Sequence, residues 1–370
     1  MDGELKVWHE NGALSVKAFF VDGKKHGKEE TFFPNKQKRS VAKFSNDLVE
    51  GVYTEWYEDG ARRYVRSYKN GLPHGDHTSY YPAENGKSQV QEKAHFVQGK
   101  PDGKHISYYS NGQMEHLLTY SNGVLDGPKS LWDEEGNALI ESKYSKGRLT
   151  GHYFQKNSDG TEETCNYKNN LKEGQCQLFY SETDEQERTL LRDVHFVNDK
   201  VDGLLVEYDL QGNKQMEMTF KEGIQEGPAS FYVQGKLASS GSHKAGELDG
   251  LWTYYHPNGK VARETFFNKG AKEGEEKSYH MNGEVSSISY YKNNELEGRS
   301  VHYSPEGVLV FEAEYKEGQR NGIFNKYYVD GKPRLLQTYK DDQLHGLKTM
   351  YDQAGKMTTQ KFDMGTRIHD

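Results

Sequence analysis

The chain alternates short segments centred on a ring with breaks rich in Gly, Asn and Asp, and the alternation has a fixed period. One glycine recurs at positions 3, 27, 51, 75, 103, 127, 151, 174, 203, 227, 250, 274, 298, 322 and 346. Most of these fifteen anchors stand 24 residues apart; the gaps from Gly75 to Gly103 and from Gly174 to Gly203 are longer. Five residues after the anchor (position +5) stands a ring in every copy but one, from Trp8, Phe32 and Trp56 to Tyr327 and Tyr351, with Lys156 as the exception. Seven residues before the anchor (position −7) runs a second ring column, from Phe20, Phe44 and Tyr68 to Tyr339 and the closing Phe362; His243 departs from it. The columns lie half a repeat apart, so each repeat holds two equivalent ring-bearing segments.

Turn signals bound every segment. Position −4 holds Gly, Asn (170, 294) or Asp (47, 199, 342), the residues that enter the left-handed region at little cost. Near position +9 stand Asn11-Gly12, Asp59-Gly60, Asn111-Gly112, Asn258-Gly259 and Asn282-Gly283, which are hairpin signals. Strand, turn, strand, turn, repeated fifteen times, predicts an all-β antiparallel meander of stacked 24-residue hairpins over 1–370, elongated and twisted. Two loops near 82–91 and 181–192 exceed their neighbours in length, and loop insertions of this kind mark contacts or drift.

Stretches such as Asp249-Gly-Leu-Trp-Thr-Tyr-Tyr-His-Pro-Asn-Gly-Lys260 and Glu50-Gly-Val-Tyr-Thr-Glu-Trp-Tyr-Glu-Asp-Gly60 resemble MORN repeats. The resemblance is closest to the bacterial variant of antitoxin-like and immunity-like proteins. It implies hairpins stacked edge to edge, and functions that range over scaffolding, membrane-associated complexes and toxin neutralisation.

Composition narrows the function classes. Leu, Ile, Val and Phe number only 69, so a large globular core is not expected, yet 12% of the chain is aromatic, unlike a disordered segment. With 48 basic and 56 acidic residues well mixed, no partner nucleic acid is expected, and a polybasic run for direct lipid binding is lacking. The start Met1-Asp2-Gly3-Glu4 does not read as a signal peptide. A cytoplasmic location is the expectation from these residues, and a periplasmic or envelope one if a leader once preceded them.

No H-E-x-x-H, C-x-x-C or G-x-S-x-G motif in a strand–turn–helix setting stands out, and Gly241-Ser-His-Lys-Ala-Gly246 lacks the ending of a phosphate loop. An enzyme, a metal site, a cofactor and a small-molecule substrate are therefore not expected. His26, His74 and His345 share position −1 with Asp102, Glu173, Asp249 and other acids, a polar row read as turn caps, with a stripe for a basic partner or calcium as the alternative. Cys165 and Cys176 flank one turn almost symmetrically and are either a cross-strand bridge or two thiols.

The candidate partner-binding residues follow from side-chain alternation. Position +5 is expected to pack ring on ring between hairpins. Position +6 then faces the other way and carries Tyr57, Tyr81, Tyr109, Tyr180 and Tyr328, joined from position +2 by Tyr53, Tyr153, Trp252 and Phe324. Glu185, Arg188 and Arg192 in the second long loop complete the set. A Tyr-rich surface with interspersed polar groups suits protein binding, with internal packing of this face through sheet curvature as the alternative. The leading expectation is a non-enzymatic protein that binds and neutralises a toxin or effector. The alternatives are a scaffold or membrane-associated adaptor, and a carbohydrate-binding wall protein.

Overall fold

A computed structural model describes residues 2–83, 88–180 and 188–368. Every regular element in it is a β-strand, and every pairing between strands is antiparallel. The chain divides into two compact units, Met1–Arg188 and Thr189–Asp370, with the division inside the second long loop. Residues 84–87 of the first long loop and 181–187 of the second, Glu185 among them, lie outside the described residues.

The repeat at Gly51 shows how the first unit is built. Gly51–Trp56 pairs with Arg62–Lys69, and that strand pairs on its other side with Leu72–Tyr80 of the next repeat. The register runs Gly51↔Tyr68, Tyr53↔Arg66, Glu55↔Tyr64 and then slips to Trp56↔Arg62, leaving Arg63 as a bulge. The second unit repeats the plan: Glu247–Tyr255 pairs with Val261–Asn268 and that with Ala271–Tyr279, again with a slip before Tyr255.

From Gly27 onward the anchor glycines sit where the chain bulges between two pairings. All fifteen have positive φ, for example 77° at Gly51 and 80° at Gly250, and the residue before the anchor bonds back across the bulge, as Glu50 N–H does to the Lys43 carbonyl at 2.7 Å. The turn before it is tighter than position −4 alone suggested. Positions −5 and −4 both have positive φ, as at Asn46 (50°) and Asp47 (68°), which makes a two-residue type I′ turn. Lys146, Ala245 and Met364 accept the left-handed conformation at −5 without the side chains that usually ease it.

The core is thin and lies mainly on one face of each unit, with Val206 and Val301 at position +3 buried on the other. Positions +2, −7 and −9 share the core face. Position −9 is the buried one: Ala18, Ala42, Ala94 and Cys165 in the first unit, and Val194, Met218, Thr265, Ala313 and Gln337 in the second. Several of these are small, Ala18, Ala42, Ala94 and Ala313 among them, and the larger side chains of the face stand at +2 and −7. In the first unit those larger side chains interleave as a row, Tyr68–His77–Phe96–His105–Tyr120, with ring centroids 4.7–5.4 Å apart. In the second, Met218, Ala229, Trp252 and Phe267 form a buried cluster flanked by Phe220, Phe231 and Tyr254. His243, the break in the −7 column, keeps its place in this packing, with its ring edge-on to Trp252 at 5.4 Å.

Candidate interaction surface

The ring-on-ring packing expected at position +5 belongs instead to the +2/−7 row, because +5 lies on the opposite face. There Tyr232, Tyr279 and Tyr327 donate their hydroxyls to Glu217, Glu264 and Glu312, at 2.8, 2.6 and 2.6 Å. The candidate residues from position +2 sit within the core face. Trp252 is only 3% exposed and donates its indole N–H to the Ser242 carbonyl at 3.0 Å. Phe324 stacks between Phe311 and Tyr339, with centroids 5.1 and 5.4 Å away. Tyr153 packs edge-on to Tyr167, and burial pushes its phenol pKa up. Tyr53 is held by the Glu55 carboxylate at 2.7 Å; burial and then that carboxylate push its pKa up to about 12. Trp252 is thus buried in the core face, and Tyr53, Tyr153 and Phe324 are half-buried in it, as the internal-packing alternative for this face has it.

Except at Tyr180 and Val233, position +6 falls in the turn, past the end of the paired strand, and most of its rings are staples. Tyr57, Tyr81, Tyr109 and Tyr328 each donate a hydroxyl hydrogen bond to the +5 carbonyl of the next repeat: Tyr80, Tyr108, Trp132 and Tyr351, at 2.8–2.9 Å. His9, His256 and His280 reach the carbonyls of Phe32, Tyr279 and Tyr303 in the same way, at 2.9–3.0 Å. Where the residue is Asp, it folds back instead and caps its own turn, as Asp133 does for Asn137 N–H and Asp209 for Asn213 N–H. Burial raises the phenol pKa of Tyr57, Tyr81 and Tyr109, in keeping with hydroxyls used as donors. Tyr180 ends the strand Gly174–Tyr180 opposite Thr161.

Two further ladders use the turn residues. Asn11, Asn35, Asn111, Asn258 and Asn282 donate to a carbonyl of the next turn while accepting from their own, at 2.8–3.1 Å. On the opposite edge the acids at −1 cap the left-handed turn of the next repeat. Glu50, Asp102, Asp202, Glu226, Glu273 and Glu297 accept from the N–H of Asn70, Asn122, Glu222, Ala245, Asn293 and Glu317. His74 takes the same place under Gln98. The turn-cap reading of this row is what the geometry has. Of the loop residues, Arg188 pairs with Glu162 at 3.0 Å and lies over the Phe179 ring, and Arg192 pairs with Glu207 at 3.1 Å. Cys165 and Cys176 form a disulfide at the −9 and +2 positions of one repeat, inside the core face. Among the described residues no three His, Cys, Asp or Glu side chains stand together to hold a metal ion.

The positions left to solvent are ones that sequence reasoning passed over: +1 and −8, which pair across each hairpin on the face away from the core. They vary from repeat to repeat. In the first unit they include Phe19, Val52, Lys28–Lys43 and the His95–Asp76 pair. In the second, Leu251 and Phe266 stand directly opposite each other, 52% and 46% exposed, beside the exposed Tyr290. A shallow depression of about 440 Å³ lies over Leu251 and Phe266, with Glu264, Glu275 and Lys277 at its margin. Glu275 there accepts from Lys277 at 2.8 Å and from the Tyr290 hydroxyl at 3.0 Å. Large apolar side chains at the centre with paired charges around them have the anatomy of a protein interface. The signal was in the sequence as variation at one step from the anchor, which resembles noise unless the register is known.

Comparison with known proteins adds a family likeness. Residues 1–22, 49–70, 101–122, 248–269, 272–293 and 296–317 match the model of the MORN repeat variant. No curated protein matches. Among the solved structures that align are two described as the crystal structures of TcdB2-TccC3-Cdc42 and of TcdB2-TccC3 without its hypervariable C-terminal region. Both are 10% identical over 96% of this chain, with a TM-score of 0.15. The chain spans 19% of the length of each.

Proposed function

We propose that the protein is a non-enzymatic binder that neutralises a protein toxin or effector by covering it. One observation supports the reading above others: the variable +1/−8 face carries exposed Leu251, Phe266 and Tyr290 on a framework whose turns are stapled to one another. Apolar and aromatic side chains held in place by paired strands lose little freedom on association, which favours tight binding. The likeness to the MORN repeat variant supports a role in binding other molecules, and the resemblance of the repeats to those of antitoxin-like bacterial proteins, read from the sequence alone, directs the proposal to a toxin.

The test is co-purification from the native host, followed by expression of the captured protein alone and together with this chain. A captured protein that arrests growth alone and is harmless with this chain supports neutralisation. A captured protein that is harmless by itself overturns that role and makes the protein a scaffold.

A further inference from the structure

The interval from Gly227 to Gly250 is 23 residues, one short of the common period. In the structure the missing residue comes out of the hairpin tip. Strands Ile224–Val233 and Lys236–Lys244 run up to a two-residue turn, Gln234-Gly235, with φ of 51° and 72°. Position +6 is therefore Val233, paired with Lys236 in the ladder and 64% exposed. In seven other repeats a +6 tyrosine or histidine donates to the +5 carbonyl of the next repeat. Valine has no donor, and no side chain among the described residues bonds the Tyr255 carbonyl, which is the matching acceptor. The shortened turn also holds no asparagine to bond the Pro257 carbonyl, as Asn258 bonds that of Met281.

At this place the second unit has a notch of about 280 Å³, lined by Val233, Leu237, Ala238, Tyr255, His256 and Pro257 among others. It combines an apolar wall with an acceptor that four other repeats satisfy with a phenol hydroxyl. The chain itself thus records what fits there. We infer that the notch receives a tyrosyl side chain presented by a partner protein, its ring on the apolar wall and its hydroxyl donating to the Tyr255 carbonyl. The partner's tyrosine takes the place of the ring that this repeat omits. An apolar site with one unmet acceptor selects tyrosine over phenylalanine, because phenylalanine leaves the carbonyl unpaired. The inference rests on the binding role proposed above, at a hairpin tip distinct from the +1/−8 face. Its test needs no partner protein, so the two can fail separately.

The experiment titrates the full chain, with methyl-labelled valine, leucine and alanine, against N-acetyl-tyrosinamide and N-acetyl-phenylalaninamide. The tyrosine probe is expected to shift the methyl signals of Val233, Leu237 and Ala238 with about millimolar affinity, and the phenylalanine probe to bind about three- to tenfold more weakly. Val233→Tyr places a ring in the notch from the chain itself and is expected to abolish the response. Equal affinity for the two probes, no shift at these methyls, or an unchanged response in Val233→Tyr would overturn the inference.

Discussion

Removing three hydroxyls tests whether the +6 tyrosines hold the first unit together. In Tyr57→Phe/Tyr81→Phe/Tyr109→Phe the rings stay and only the bonds to the Tyr80, Tyr108 and Trp132 carbonyls are lost. Each is a neutral hydrogen bond at 2.8–2.9 Å in a half-buried place, worth about 0.5–1.5 kcal/mol net. The sites are in successive repeats, so the losses need not add, and a total of about 2–4 kcal/mol is expected. Phe33 sets a lower bound on tolerance, since this +6 residue lacks a hydroxyl and packs under the Arg39 guanidinium at 5.8 Å. Urea unfolding followed by tryptophan fluorescence reports mainly on the first unit, which holds Trp8, Trp56 and Trp132. The midpoint should fall with the slope unchanged. A loss below about 0.5 kcal/mol would refute the staple reading and return these residues to the role of free contact groups.

Three further outcomes follow from the core and the charges. Gly241→Ala places a methyl carbon 2.3 Å from the Trp252 ring, so the second unit should lose about 1–3 kcal/mol or more, with a shifted Trp252 emission in a variant lacking the other tryptophans. Alkylation of the native protein without reductant, read by mass spectrometry, should find neither Cys165 nor Cys176 modified, and Cys165→Ser/Cys176→Ser should unfold about 2–3 kcal/mol more easily; two modified thiols would contradict the bridge. Stability should fall at both pH extremes. Tyr53, with its folded pKa raised to about 12, stabilises fully below the unfolded value near 10 and loses that contribution as pH rises toward 12. Burial pushes Glu312 up, but Tyr327, Asn325 and Arg299 together hold it below its ordinary value, so its contribution is present above the unfolded pKa and lost as pH falls through the folded one. Tyr53→Phe should flatten the alkaline limb of a thermal-unfolding profile, and a limb unchanged by it would contradict that assignment.

The period, the strand class and the turns were legible because glycine, asparagine and aspartate have distinct backbone preferences that repeat visibly. The acids at −1 were legible for the same reason: an acceptor beside a left-handed turn has a task in every copy. The faces were not. The strand Gly51–Trp56 and its equivalents end at +5, so carrying the alternation one step further puts +6 on a strand face when Tyr57 already lies in the turn. The core column at −9 gave little signal because Ala18, Ala42, Ala94 and Ala313 are too small to mark themselves as core. Trp252 illustrates the error: a large ring at +2 suggested a contact group, yet glycine at 241 makes the room that buries it. The exposed pair Leu251–Phe266 was hidden because its positions hold lysine, proline or glutamate in other repeats.

The most direct test of the binding account compares two surfaces of one protein against the partner captured from the native host. Calorimetric titration would measure its affinity for the wild type, for Leu251→Asp/Phe266→Asp, and for Tyr57→Phe/Tyr81→Phe/Tyr109→Phe. The account predicts that the aspartate pair weakens binding at least about 30-fold, as loss of a central apolar contact does, with the circular dichroism spectrum unchanged. It predicts that the phenylalanine set binds as the wild type does while unfolding more easily. Full affinity in the aspartate pair, with loss in the phenylalanine set, would contradict it.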